Sequence, residues 1–244
     1  MKPFLILQLR PEDEASDGEF DAFLKISQLD KEQLHRVRME KTGLPPIKLK
    51  DYSGVIVGGG PTNVSDQDKT EAEKKFEKQL HTLLDEIIEK DFPYLGACYG
   101  LSILAVHLGG EVAKGKYAES VGAVTINLAD EAKDDPILND LPGSFRAFGG
   151  HKESCQSLPE GMVCLAGSKK CPVHIVRYKK NIYATQFHPE LDSHGTALRI
   201  RVYKHAGYFP PSEADKLIAD AMQETVAIPE KILQRFVQRY QTIS

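Results

Sequence analysis

The chain has 244 residues, 41% hydrophobic and 27% charged, enough to bury one substantial core and ordinary for a soluble globular protein. Its 31 Lys and Arg against 35 Asp and Glu leave a net charge of −4, so neither a nucleic-acid surface nor a polybasic membrane patch is expected. No apolar run has the length of a membrane span or a secretory leader, and the four cysteines read as reduced thiols of a cytoplasmic protein.

Taken in chain order, Phe4 to Leu9 is an apolar run suited to a buried first strand. Pro11 to Gly18 is acidic and turn-rich and reads as a loop; Phe20, Phe23, Leu24 and Ile26 then fall at helical spacing. Leu34 to Glu40 alternates apolar and polar as a half-buried strand does, and Gly43 to Pro46 breaks the pattern. Val55-Ile56-Val57 is a β-branched strand emptying into Gly58-Gly59-Gly60-Pro61. Thr70 with Glu73 forms a capping box, and Phe76, Leu80, Leu83, Leu84, Ile87 and Ile88 make the apolar face of the helix it opens.

Pro93-Tyr94-Leu95-Gly96-Ala97-Cys98-Tyr99-Gly100 follows, with a helical run from Leu101 to Leu108 behind it. A cysteine between two glycines at a strand-to-helix turn is the thiol counterpart of the nucleophile elbow. Glycine shoulders suit a cramped turn, and the start of a helix favours a thiolate. Beyond Gly109-Gly110 the chain turns β-rich. Val121–Leu128, Ser144–Phe148, Met162–Ala166, Val173–Tyr178 and Ile182–Phe187 read as strands whose connections are too short for parallel crossovers. Helices return in 197–203, in a segment capped by Ser212 with Asp215, and behind Pro229.

The pattern predicts an α/β fold: an open, doubly wound, mostly parallel, flavodoxin-like sheet with helices on both faces, a partly antiparallel second half and a C-terminal helical extension. One domain over 1–195 is expected, with residues 196–244 packed on it.

A nucleophilic cysteine needs a base, and the base needs an orienting acceptor. Tyr183-Ala184-Thr185-Gln186-Phe187-His188-Pro189-Glu190 supplies both, with His188 emerging at the end of a strand and Glu190 two residues on. Main-chain N–H donors for a tetrahedral oxyanion are expected from Tyr99 and from the loop containing Gly59 and Gly60. That loop carries neither nucleotide-binding glycine pattern. Cys155, Cys164, Cys171 and His174 lack a paired C-x-x-C spacing, so the cysteines read as small buried hydrophobes and no metal is expected.

Gly-Gly-Gly-Pro after a strand, Pro-Tyr-Leu-Gly-Ala-Cys-Tyr-Gly and Gln-Phe-His-Pro-Glu resemble, in order and spacing, the three signature blocks of class I (triad) glutamine amidotransferases. The likeness runs from about residue 4 to about 195 and is nearest to the glutaminase domain of guanosine monophosphate synthetase. It implies a Cys98–His188–Glu190 triad that converts glutamine to glutamate and ammonia through a γ-glutamyl thioester without a cofactor. It also implies a substrate-side segment at His151-Lys152-Glu153, where the family usually has glycine and then an acidic or aromatic residue after the histidine. Ser102 stands where the family usually has a substrate-contacting glutamine. Its shorter side chain leaves room for a larger γ-glutamyl donor, so a γ-glutamyl peptidase is the alternative reading. About 50 residues lie beyond the likeness, fewer than the ~100 of a typical second domain. A separate ammonia-accepting synthetase is therefore the partner the resemblance suggests, and the C-terminal helices could serve that contact or a homodimer.

Overall fold

The computed structural model describes residues 2–241; the last three residues of the expected C-terminal extension lie outside them. Strand β1 (Phe4–Gln8) is followed by α1 (Asp13–Ser27), β2 (Leu34–Arg38), a helical turn α2 (Met39–Thr42), β3 (Gly54–Val57) and α3 (Glu71–Lys90). Next come β4 (Tyr94–Ala97), α4 (Tyr99–His107), β5 (Glu111–Leu128), β6 (Ser144–Ser157), β7 (Met162–Ser168), β8 (Ile175–Tyr178) and β9 (Ile182–Thr185). Helices α5 (Ser193–Val202), α6 (Ala214–Gln223) and α7 (Ile228–Tyr240) follow.

Nine strands form one sheet in the order β2-β1-β3-β4-β9-β8-β7-β5-β6. The five strands from β2 to β9 run parallel, and every pairing from β9 onward to β6 is antiparallel. The period-two alternation of the strands divides the apolar residues between two layers. Leu5, Leu7, Val55 and Val57 pack with Phe76, Leu80, Leu84 and Ile87 of α3 and with Leu101, Ile103 and Leu104 of α4. Phe4, Ile6, Ile56 and Leu95 face the other way, onto Phe23 and Ile26 of α1 and Ile232, Leu233, Phe236 and Val237 of α7. Helix α7 is thus half of one core layer: Phe236 is fully buried with its ring 6.2 Å from that of Phe4. Truncating such a residue to alanine costs about 3–5 kcal/mol.

Helix α3 opens with the expected reciprocal cap. Thr70 Oγ1 accepts from Glu73 N at 3.2 Å, and Glu73 Oε2 accepts from Thr70 N at 2.7 Å. Other expectations need correction. Most of the segment read as a loop over Pro11 to Gly18 is helix, because Asp13 and Glu14 sit in the first turn of α1, where negative charge favours a helix start. The cap expected from Ser212 and Asp215 is absent: a 3₁₀ turn over Pro211–Glu213 leads into α6 without a side-chain cap. Strands β5 and β6 are longer than their apolar cores, since β5 continues through register shifts between Lys114, Glu119 and Gly122. Among the described residues, no helix is long and apolar enough to cross a membrane.

Candidate active site

Four neighbouring parallel strands, β1, β3, β4 and β9, end at one edge of the sheet, and each delivers a polar segment there. The register pairs Ala97 of β4 with Thr185 of β9, and Cys98 N donates to Thr185 O at 2.7 Å. Cys98 and the Gln186–His188 segment therefore leave the sheet side by side, although they are 90 residues apart in sequence. β3 opens the loop from Gly58 to Pro61 beside them, and β1 leads to Arg10.

Cys98 caps α4 with φ 53° and ψ −92°, a conformation a non-glycine residue adopts at a cost of about 1–3 kcal/mol. The glycine shoulders answer to the crowding of the turn that the sequence suggested, not to a left-handed backbone. Neither has a positive φ. A Cβ on Gly96 would fall 2.6 Å from the carbonyl of Gly100, and one on Gly100 would fall 2.8 Å from Val57 O. Tight packing of the turn against itself and β3 therefore excludes side chains there, while Cys98 carries the strain.

His188 is buried, and its Nδ1 lies 3.0 Å from Glu190 Oε1. Arg199 of α5 donates to that same carboxylate oxygen at 2.8 Å and reaches Glu19 Oε1 at 3.4 Å. Arg10 Nε donates to Glu19 Oε1 at 2.8 Å. The result is a buried chain of alternating charge, Glu190–Arg199–Glu19–Arg10, behind the imidazole. Burial opposes ionisation of Glu190, but His188 and Arg199 outweigh it and hold the carboxyl well below its ordinary range. Burial lowers the His188 pKa against the pull of Glu190, which keeps the ring neutral at pH 7.

Burial pushes the Cys98 thiol up to about 12; Glu153 adds to this, and Arg10 and Arg199 oppose it. A protonated thiol needs a base before its sulfur can attack, and a neutral imidazole can serve as one. Cys98 and His188 line one cavity of about 50 Å³ together with Arg10, Gly60, Arg199 and Tyr208. Among the described residues no hydrogen bond joins the two; the side-chain amide of Gln186 donates to the sulfur at 3.8 Å.

The remaining expected residues fall around this centre. Tyr99 is the first residue of α4, so its N–H has no intrahelical acceptor. Gly60 lines the cavity, and its carbonyl accepts from Tyr208 Oη at 3.3 Å. Gly59 packs directly on His188 and Arg10. Ser102 is buried one turn beyond Cys98; its hydroxyl has no partner among the described residues, and it is not on the cavity wall. His151, Lys152 and Glu153, which belong to β6, border a recess that also touches Cys98 and Tyr99. Lys152 Nζ lies over the Tyr208 ring and donates to Ala206 O. Both carboxylate oxygens of Glu153 accept from the Val64–Ser65 main chain, at 3.0 and 2.9 Å, so this residue holds the loop beyond Pro61.

Sequence reasoning missed Arg10, Glu19, Arg199, Tyr203, Tyr208 and Phe209. One signal was present: Glu19 falls on the buried stripe of α1 with Ala15, Phe23 and Ile26. A charge at a core position of a helix demands a partner. The aromatic cover over Cys98 comes from the 203–209 segment after α5, which carries no motif.

Residues 22–200 match the Glutamine amidotransferase class-I family. The chain is 37% identical over 158 residues to one subunit of the glutamine-hydrolysing GMP synthase of Sulfurisphaera tokodaii, covering 64% of this chain and 76% of that one. It is 35% identical over 140 residues to the GMP synthase of Thermosipho africanus, where the match covers 57% of this chain and 24% of the relative. The match thus takes in most of the shorter relative but about a quarter of the longer synthase. In fold, it superposes on a glutamine amidotransferase of Thermotoga maritima with a TM-score of 0.77, at 22% identity over 98% of both chains. A second superposition, on a glutamine amidotransferase of Methylobacillus flagellatus, gives 0.72 at 21% identity, covering 100% of this chain and 97% of the other. With its mixed sheet, the elbow at Cys98 and the His188–Glu190 strand end, the chain belongs to the class-I glutamine amidotransferase family.

Proposed function

We propose that the protein is a glutaminase in which Cys98 is the nucleophile, His188 the base and Glu190 its orienting acceptor. The observation that carries this reading is the β4–β9 register, which brings the thiol and the imidazole to one cavity. His188 Nε2 takes the thiol proton as sulfur attacks the amide carbon of the glutamine side chain. Glu190 and Arg199 hold the ring and stabilise the imidazolium. The oxyanion forms against the main-chain amides of Tyr99 and of the Gly59–Gly60 loop. The imidazolium returns its proton to the leaving nitrogen, ammonia departs, and a γ-glutamyl thioester remains on Cys98. Water then attacks the thioester with His188 as base, giving glutamate and the free thiol.

The cavity beside Cys98 measures about 50 Å³. The small cavity and the position of Ser102 off its wall favour free glutamine over larger γ-glutamyl donors. The relatives that are single subunits of a GMP synthase support passage of the ammonia to a separate synthetase. The test is the mass of the adduct on Cys98 after exposure to glutamine or to γ-glutamyl peptides. A glutamyl adduct from glutamine, absent in Cys98→Ala, is expected. Adducts from the peptides alone would replace this reading by the peptidase.

A further inference from the structure

A second cluster of chemistry-bearing side chains lies behind the recess beside Cys98. Glu119 comes from β5, His151 from β6, and Cys171 and His174 from the connection between β7 and β8. His151, Cys171 and His174 are all buried, and each offers a ligand atom within 4.8 Å of the other two. Glu119 Oε2 lies 3.1 Å from His151 Nε2 and 2.8 Å from His174 Nε2. Its other oxygen accepts from Ser168 Oγ at 2.6 Å. Cys155 and Cys164 are not members.

With both rings neutral, the cluster carries one net negative charge, that of Glu119. His151 Nδ1 is 2.9 Å from the carbonyl oxygen of Glu153, which can only accept, so Nδ1 carries the hydrogen. In the neutral ring, Nε2 then turns a lone pair toward the Glu119 carboxylate, another acceptor. His174 meets the same oxygen through Nε2, while its buried Nδ1 has no partner among the described residues. Two imidazoles, a carboxylate and a thiol thus lie together with a negative charge that a cation would balance.

We propose that Glu119, His151, Cys171 and His174 form a binding site for a divalent cation of the zinc class. Two nitrogens with one sulfur and one carboxylate oxygen are a donor set that zinc takes, and thiolate plus carboxylate neutralise its double charge in a buried position. The bond from His151 Nδ1 to a main-chain carbonyl is the outer contact that metal-bound histidines make. Cys171 loses its proton to solvent as the sulfur–metal bond forms. Zinc–nitrogen and zinc–sulfur bonds of about 2.0 and 2.3 Å place ligand atoms roughly 3.3–3.6 Å apart, so the atoms of His151, Cys171 and His174, within 4.8 Å of one another, need movements of about 1 Å to close on an ion.

Such an ion would tie β5 and β6 to the β7–β8 connection and, through it, brace the strand that bears the base. Gln186 N donates to His174 O at 2.8 Å, and the His174 ring stacks on Phe187, immediately before His188. The site shares no ligand with the triad proposed at Cys98.

The test uses Cys98→Ala protein, to remove the other thiol near a histidine, stripped with a chelator and titrated with Zn²⁺ and with Co²⁺. One equivalent of zinc, and a cobalt spectrum with intense tetrahedral bands and a thiolate-to-metal charge-transfer band, are expected. Cys171→Ser should abolish the charge-transfer band, and His174→Gln should weaken zinc at least about tenfold. Substoichiometric zinc, or a cobalt spectrum without the thiolate band, overturns the proposal. So does a Cys171→Ser/His174→Gln variant that binds zinc as tightly as its parent. The cobalt spectrum is read with all four proposed ligands in place, so poor folding of a variant cannot decide the outcome.

Discussion

Gly59 lies so close against His188 that an ideal Cβ on it would overlap Cε1 of the imidazole and fall 3.2 Å from Nε2. It would also come within 3.0 Å of Arg10 Nη2. The glycine loop therefore leaves the space in which the His188 ring stands. Gly59→Ala should push the ring away from Cys98 without disturbing either core layer. Misplacing a catalytic group by about 1 Å costs on the order of 100-fold in rate. We expect a loss of that size in kcat for glutamine hydrolysis, with circular dichroism unchanged. A variant within threefold of the parent would show that the ring tolerates the displacement.

The strain at Cys98 gives a prediction in the opposite direction for stability. Cys98→Gly relieves a positive-φ conformation worth about 1–3 kcal/mol, against about 0.5–1 kcal/mol of added chain entropy in the unfolded state. The variant should hydrolyse no glutamine and yet melt a few degrees higher, since about 1 kcal/mol shifts a domain of this size by roughly 2–4 °C. A lower melting temperature in calorimetry would place the strain elsewhere.

What could be read from the sequence was local. β3, β4 and β9 announce themselves as short apolar runs ending in glycine or in Gln186-Phe187-His188, and α3 by the Thr70–Glu73 box. Cys98, His188 and Glu190 were legible as candidates because short motifs fix them just beyond two strand ends, those of β4 and β9. Arg199 was not: its partners are 9 and 180 residues away, and only the folded sheet brings α1 and α5 together over the same edge. The metal-class cluster was hidden for the same reason. Cys171 and His174 looked like half of a poor cysteine set, and their partners His151 and Glu119 are contributed by β6 and β5. The start of α1 was misread because acidic residues around a proline suit both a loop and a first helical turn.

Arg199 bridges two buried carboxylates, Glu190 and Glu19, and its loss would leave both with diminished compensation. Arg199→Met should lower stability by about 3–5 kcal/mol, the cost of breaking a buried pair from one side. It should also reduce kcat, because Glu190 would lose the contact that fixes it toward His188. Arg199→Lys keeps the charge but not the geometry that serves both oxygens, and should recover part of the stability and little of the activity. Urea denaturation and initial rates on both variants check this. Equal recovery of both quantities by lysine would mean that charge alone matters.

The pH profile follows from the sign of two shifts. Glu190 has its carboxyl depressed below the ordinary 4.5, so ionisation of this group stabilises the fold above about pH 4.5, and that contribution fades as pH falls further. His188 is depressed below the ordinary 6.5, so the unfolded chain binds a proton there before the native protein does. Stability should therefore fall as pH drops below about 6.5, and fall again below about 4.5. In His188→Gln the first of these losses should shrink while the second persists. Activity should share the first limb: a neutral His188 is the working base, so kcat/KM should hold level above pH 6.5 and decline only at more acidic values, below the ordinary imidazole range. Unfolding curves from pH 8 to 4 on the parent and on His188→Gln, beside a rate profile of the parent, test both. A stability profile unaltered by the substitution, or a rate that climbs with pH from 7 to 9, would show that another group carries the proton.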